Sequence, residues 1–236
     1  MRFRFPGFGF FCILASVWVL SPLLPASARA LREPQRIADA GYALPPLGHA
    51  RFCVQYPEEC RIRRASIRKA KVRMTPQREQ QLAEVNRRVN AAISPQNDAP
   101  GLVNDVWTIA PRRGDCDDYA VTKRAQLLRA GWPSRSLLLT AARLPDGQSH
   151  LVVIVRSSDG DFVLDNLTGR VRAVAEAPYR WEMIQDEINP RFWRKVQPGA
   201  SLVAVARPAP IREAARPREI ASVSDLRLTM ASDVKL

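Results

Sequence analysis

Three runs rich in aliphatic residues, separated by Asp-Gly pairs, constrain the fold of this chain more than any other feature. The runs cover 136–144, 150–156 and 161–167, and the pairs are Asp146-Gly147 and Asp159-Gly160. Asp-Gly between apolar runs is a strong hairpin signal, because these residues adopt the positive φ angles of tight turns. The preceding segment, 116–130, has a helical pattern that ends at Gly131. The sequence therefore predicts a helix followed by an antiparallel meander.

The first 30 residues have the organisation of a secretory signal peptide. Arg2 and Arg4 precede an apolar run at 8–24, and small residues occupy the cleavage positions up to Ala30. An uncleaved membrane anchor is the alternative, although the run is short for a span of about 20 apolar residues. We expect cleavage after Ala30, a periplasmic or secreted location, and a mature protein that does not span the membrane.

The rest of the chain is long enough for one domain with a sizeable core. We expect an extended lead-in at 31–50, a folded domain at 51–200 and a disordered basic tail at 201–236. The net charge of +13 suits an anionic envelope or acidic partners. Export makes nucleic acid an improbable target.

Three cysteines remain after the predicted cleavage, and two of them are close in sequence. Cys53 and Cys60 flank a turn that contains Pro57, so they are plausible disulfide partners in an oxidising compartment. Two unpaired thiols are the alternative. If the pair forms, Cys116 is the odd thiol, and an odd thiol in an exported protein points to a function.

Cys116 lies among acidic residues at the start of the predicted helix. Asp115, Asp117 and Asp118 should hold a thiol in its protonated form, whereas the helix N-terminus favours the thiolate. His150 begins the second aliphatic run and Asp165 ends the third. A cysteine, a histidine and an aspartate in this arrangement can supply a nucleophile, its base and the group that orients the base.

Two questions remain open about this set. Asn166 is a rival to Asp165, since an amide can also orient a histidine. A two-residue turn at Asp159-Gly160 would pair Ile154 with Asp165 and leave His150 roughly 13 Å away along its strand. A bulge or a different loop is then needed to bring the two side chains together.

The residues around these positions resemble those of the bacterial transglutaminase-like cysteine proteinases. The resemblance covers roughly 45–195 and rests on four stretches: 114–120 with Lys123, His150 before its aliphatic run, 163–166, and 105–107 with the Cys53 and Cys60 pair. It implies an α+β fold of the papain-like, transglutaminase type, with the nucleophile at a helix N-terminus packed on an antiparallel sheet. The implied triad is Cys116 as nucleophile, His150 as base and Asp165 as the orienting group.

The best-known branch of that family is a calcium-dependent periplasmic protease that cleaves surface adhesins and is sequestered by an inner-membrane receptor. The resemblance implies calcium at Asp115 and Asp117. This chain has Asp117 where that branch commonly has Glu, and Leu151 where a small residue is usual. Calcium also has a physical argument, because a divalent ion would offset the carboxylates beside the thiol. The alternative is that Asp117 and Asp118 cap the helix and face solvent.

The sequence thus predicts an exported cysteine endopeptidase that acts on a protein substrate, such as an adhesin, through a Cys116 thioester. A transglutaminase or deamidase could use the same triad, since both reactions pass through the same acyl-enzyme. A non-catalytic basic module that binds the cell envelope is the alternative from another class.

Overall fold

The computed structural model describes residues 34–63, 72–101, 104–197 and 202–204. The chain divides into two units, Met1–Arg32 and Glu33–Leu236. The predicted signal peptide, and the tail beyond 204, lie outside the described residues. Within those residues, no helix combines the length and apolar character needed to cross a membrane.

Helices and short strands alternate in the first half of the described chain, and strands dominate the second half. The α-helices are α1 (Leu47–Gln55), α2 (Pro76–Ala92) and α3 (Cys116–Arg129). The strands are β1 (Gln35–Ile37), β2 (Asp39–Ala43), β3 (Ser94–Pro95), β4 (Arg113–Gly114), β5 (Leu137–Arg143), β6 (Ser149–Ser157), β7 (Gly160–Leu164), β8 (Arg172–Ala173), β9 (Arg180–Gln185), β10 (Trp193–Val196) and β11 (Leu202–Ala204).

The main sheet is antiparallel throughout and has the strand order β2-β10-β9-β5-β6-β7-β8 among the described residues. One face packs against α2 and α3 through side chains such as Leu139 and Val153, and the other face carries Leu138 and Ile154. Because β5 and β6 lie in the middle, both of their faces are buried. The predicted meander and the α+β fold class are confirmed.

The hairpin between β6 and β7 differs from the predicted one. Ser157 pairs with Gly160, so Ser158 and Asp159 form the loop, and Val153 pairs with Leu164. The loop therefore begins one residue earlier than the Asp-Gly pair suggested. This change shifts the register by two residues and brings the end of β7 closer to His150.

The described part of the predicted lead-in is folded into the domain. β2 is the edge strand of the main sheet, β1 pairs with β11, and α1 begins at Leu47. The prolines that suggested an extended connector, Pro45 and Pro46, lie in the link between β2 and α1, where no ladder hydrogen bond is lost. The predicted boundary at residue 51 would cut through α1.

A buried ion pair holds β1 against the hairpin. The Arg156 guanidinium donates to Asp161 at 3.0 Å and to the Ile37 carbonyl at 2.9 Å, and Asp161 accepts from the Ile37 N–H at 3.0 Å. Arg156 also donates to Glu187 at 2.6 Å. Both partners of the ion pair are almost fully buried, so each depends on the other to compensate its charge.

Cys53 and Cys60 form a disulfide bond at the end of α1. The fully buried Arg124 side chain connects this loop to the rest of the fold, because it donates to the Glu59 carbonyl at 2.9 Å and to the Leu137 carbonyl at 3.0 Å. Arg124 belongs to α3, so the disulfide loop is anchored to the helix that carries Cys116.

Candidate active site

The α3 helix begins at Cys116 because Asp115 caps it. The Asp115 carboxylate accepts from the Asp117 N–H at 3.4 Å, and the Asp118 carboxylate accepts from the Asp115 N–H at 3.3 Å. This reciprocal arrangement is a capping box. Gly114 makes it possible, since a Cβ there would lie 2.0 Å from an Asp118 oxygen. The Cys116 thiol is therefore held at the positive end of the helix dipole.

The Cys116 thiol is partly buried between α3 and β6. Burial raises the pKa of the thiol to about 12, and the negative charges of Asp117 and Asp115 act in the same direction. The Leu151 backbone N–H lowers the pKa of the thiol and so opposes this effect. Leu151 directly follows His150, so β6 brings the imidazole and the thiol to the same part of the structure.

His150 and Asp165 are in direct contact, and both are buried. The His150 Nε2 atom lies 2.9 Å from Asp165 Oδ1, which also accepts from the Leu167 N–H at 2.9 Å. Asp165 follows the last residue of β7, where the shifted register places it beside β6. The rival Asn166 has its Oδ1 buried without a hydrogen-bond partner among the described residues. His150 is thus oriented through Nε2, and Nδ1 is not part of this contact.

Two further side chains bind the outer oxygen of Asp165. Arg172 donates to Asp165 Oδ2 at 3.0 Å, and the Tyr179 hydroxyl donates to the same oxygen. Burial alone would raise the pKa of Asp165, but hydrogen bonds from His150, Tyr179 and the Leu167 N–H outweigh it and lower the pKa to about 2. The carboxylate is therefore ionised at neutral pH.

An acidic cluster surrounds the start of α3. One ligand atom from each of Asp115, Cys116 and Asp117 lies within 4.8 Å of the others. Asp118 takes part in the helix cap, but Asp117 and Asp118 are only 6% and 4% exposed, so the alternative in which both face solvent is wrong. Burial raises the pKa of Asp117 to about 10, helped by Asp115. Asp117 Oδ1 has no hydrogen-bond partner within the described ranges.

A second group of possible metal ligands, His49 with Cys53 and Cys60, does not suit a metal. The two sulfurs are bonded to each other. The Trp193 indole N–H donates to His49 Nδ1 at 3.0 Å, and because an indole nitrogen only donates, the imidazole proton must be on Nε2. Nε2 lies 3.6 Å from the Cys53 sulfur and has no free lone pair for a metal.

The sequence model of the bacterial transglutaminase-like cysteine proteinases matches residues 39–201, which is more than half of the chain. The chain belongs to this family. It is accordingly a transglutaminase-like cysteine peptidase, and the family predicted from the motifs is confirmed.

Solved structures of one protein resemble this fold. Calcium-bound LapG of Legionella pneumophila is 22% identical, with a TM-score of 0.42, and the match covers 55% of this chain and 76% of that one. LapG and EGTA-treated LapG are each 23% identical, with TM-scores of 0.39 and 0.40, and each match covers 48% of this chain and 66% of the other. No match is found among curated proteins.

The sequence of this transglutaminase-like peptidase predicted Asp115, Cys116 and Asp117 as site residues. It also predicted His150 and Asp165, which the structure brings into contact. It missed Arg172 and Tyr179, which follow Asp165 by 7 and 14 residues. No motif or spacing in the sequence marks either residue. Arg172 and Tyr179 reach the Asp165 carboxylate only because the segment after β7 turns back over the sheet.

Proposed function

We propose that the protein is an exported cysteine endopeptidase that cleaves a protein substrate through a Cys116 thioester, with a surface adhesin as the candidate substrate. The observation that carries this proposal is the His150–Asp165 contact of 2.9 Å beside the strand that meets the Cys116 thiol. A histidine with a purely structural role would not need a buried, ionised carboxylate as the partner of Nε2. Family membership supports the same reaction class.

The residues have distinct roles in this mechanism. His150 Nδ1 takes the proton from Cys116 as its sulfur attacks the scissile carbonyl, and Asp165 stabilises the resulting imidazolium through Nε2. The Cys116 backbone N–H, at the helix N-terminus, donates to the oxyanion of the tetrahedral intermediate. Collapse of that intermediate breaks the peptide bond, and His150 returns the proton to the leaving amine. Water then hydrolyses the thioester.

The acidic cluster suits a calcium ion. Asp117 Oδ1 is buried and without a partner among the described residues, while Asp115 and Asp117 place carboxylate oxygens close together. Oxygen donors of this kind are the ligands that Ca²⁺ prefers. Asp115 and Asp117 would hold the ion, and its charge would offset the carboxylates beside Cys116. Asp115, the N-cap residue, and Asp117, in the first turn of α3, flank the nucleophile in sequence.

Calcium is expected to raise the melting temperature of the wild-type protein by about 5–10 °C at a concentration of about one hundred times Kd, which corresponds to about 2.7 kcal/mol. The Asp117→Asn variant should lose most of this shift, because an amide at this position cannot supply the negative charge that binds the ion. Calorimetry in calcium, magnesium and EGTA measures the effect.

The matched control for the calcium experiment is Asp146→Asn, in the exposed β5–β6 turn, where the carboxylate accepts from the Gln148 N–H. This variant should respond to calcium as the wild type does. A wild-type melting temperature that is equal in calcium and EGTA would refute the ion at this site.

The proposed activity is tested by comparing proteins released from cells that carry the wild type or Cys116→Ala. We expect at least one surface protein to be released as a fragment with a new N-terminus only when Cys116 is present. Identical fragments in both strains would contradict the peptidase. Mass spectrometry separates the rival reactions, because a transglutaminase forms an amine adduct and a deamidase converts glutamine to glutamate without chain cleavage.

Location and regulation belong to the same proposal. We infer export by a cleaved signal peptide at 1–30 and a catalytic domain followed by a basic tail within 201–236. A membrane receptor that sequesters the enzyme is the partner that the family resemblance suggests. A strain that lacks this receptor should release more of the fragment that the enzyme produces.

A further inference from the structure

The buried carboxylate of Asp165 is saturated with hydrogen-bond donors. Oδ1 accepts from His150 and from the Leu167 N–H, and Oδ2 accepts from Arg172 and Tyr179. The Asp165 side chain has no exposed surface. Only the Oδ1 side is needed to orient an imidazole, so the two donors on Oδ2 call for a separate explanation.

Tyr179 contacts both members of the His150–Asp165 pair. Its hydroxyl donates to Asp165, and its ring meets the His150 ring edge to face at 5.6 Å, with the planes at 75°. Arg172 in turn donates to the Tyr179 hydroxyl at 2.9 Å, and its guanidinium lies 5.4 Å from the centre of the Tyr179 ring. The Arg172, Tyr179 and Asp165 side chains therefore form a closed triangle of contacts beside the imidazole.

We infer that Tyr179 and Arg172 are positioning residues that fix the Asp165 carboxylate and, through it, hold His150 in the tautomer with the proton on Nε2. This inference rests on the proposed role of His150 as the base. A carboxylate held on one side only can rotate about its Cβ–Cγ bond. Donors on both oxygens remove that freedom, and the Tyr179 ring restricts the imidazole from a second direction.

The two residues act differently, because one is neutral and the other is charged. Tyr179 supplies a hydrogen bond and a packing surface, so its loss should loosen the geometry. Arg172 supplies a charged donor that binds both Asp165 Oδ2 and the Tyr179 hydroxyl. Its loss should therefore remove one hydrogen bond from each of these two oxygens.

The charged and titratable groups around Asp165 come from four parts of the structure. They are His150 on β6, Arg172 on β8, Tyr179 before β9, and Lys123 on α3, whose charge interacts with that of Asp165. Burial lowers the pKa of Lys123 to about 7. The test must therefore follow the His150 nitrogens directly, because a pH profile of activity would also contain the titration of Lys123.

The test is ¹⁵N NMR of the imidazole nitrogens together with steady-state kinetics. The chain contains two histidines. Burial lowers the pKa of His49 to about 3, so His49 stays neutral at the pH values at which the His150 nitrogens are recorded. We expect wild-type His150 to show the Nε2–H tautomer when neutral. Tyr179→Phe should show both tautomers and a kcat lower by about tenfold to a hundredfold with KM unchanged, as expected for a lost hydrogen bond to a charged group.

Arg172→Leu, which removes the donor to Asp165 Oδ2, should also show both tautomers of His150, and Arg172→Lys should restore the Nε2–H tautomer. Tyr42→Phe is the matched control, because Tyr42 also has an arginine over its ring, at 4.8 Å, but lies at the opposite edge of the sheet. This control should match the wild type in both nitrogen shifts and kcat.

Two results would overturn the inference: the single wild-type tautomer of His150 in Tyr179→Phe, or the same single tautomer in Arg172→Leu. Melting temperatures identify any variant that has failed to fold, and Tyr179→Phe keeps the ring that packs on His150. The nitrogen shifts need no substrate. If Cys116→Ala disproves the peptidase, these shifts still decide whether Tyr179 and Arg172 position the pair.

Discussion

Replacing His150 with glutamine is expected to lower kcat by about 10⁴-fold or more while the protein stays folded. Glutamine can still donate an amide N–H to Asp165, so the buried carboxylate keeps a partner on Oδ1. It cannot take a proton from Cys116, whose pKa is raised by burial and by its acidic neighbours. The substrate is the surface protein whose fragment is released only when Cys116 is present. Its cleavage by purified enzyme gives kcat directly.

The other histidine provides the control. His49 is buried and accepts from the Trp193 indole N–H at 3.0 Å, so His49→Gln should reduce stability without removing the base. The folded fraction of the His49→Gln protein should have a kcat within a few-fold of the wild-type value. A His150→Gln enzyme that keeps more than about a tenth of the wild-type kcat would contradict the role of His150 as base.

Replacing Arg156 with methionine is expected to destabilise the protein by about 3–5 kcal/mol and to lower its melting temperature by roughly 10 °C or more. The substitution leaves the Asp161 carboxylate buried beside the Ile37 N–H without its main counter-charge. The 3.6 Å contact with Arg36 is a weaker substitute. Denaturant unfolding followed by tryptophan fluorescence measures the loss.

A double variant isolates the cause of this loss. Arg156→Met combined with Asp161→Leu should be more stable than Arg156→Met alone, because no unpaired charge remains buried. Arg180→Met is the surface control, since Arg180 is 75% exposed in its pair with Glu182, and exposed pairs contribute at most about 1 kcal/mol. Equal losses for Arg156→Met and Arg180→Met would show that burial of the pair is unimportant.

The fold class and the central hairpins were predictable because their signals are local. Asp-Gly turns and aliphatic runs defined β5, β6 and β7, and the helical pattern that ends at Gly131 defined α3. These features depend on backbone conformation over a few residues. Aliphatic content was sufficient for β5 and β6 because both faces of these strands are buried.

The register of the hairpin and the extent of the domain were not predictable in the same way. The sequence could not show that Ser158 and Asp159, rather than Asp159 and Gly160, form the loop. β1 and β2 are short and have little apolar alternation, and they are held by partners far along the chain. The contacts of Asp165 with Arg172 and Tyr179 likewise depend on a segment that returns over the sheet. Tertiary pairing determines each of these features.

The pairing of β1 with β11 has a consequence for the order of folding. Its two strands come from opposite ends of the described chain, and β2 pairs with β10 in a similar way. Contacts between residues so distant in sequence slow folding, because the intervening chain must be ordered before they can form. Residues 202–204 must be available before the first strand can pair. A nascent chain therefore cannot form the β1–β11 pair until residues 202–204 have been synthesised.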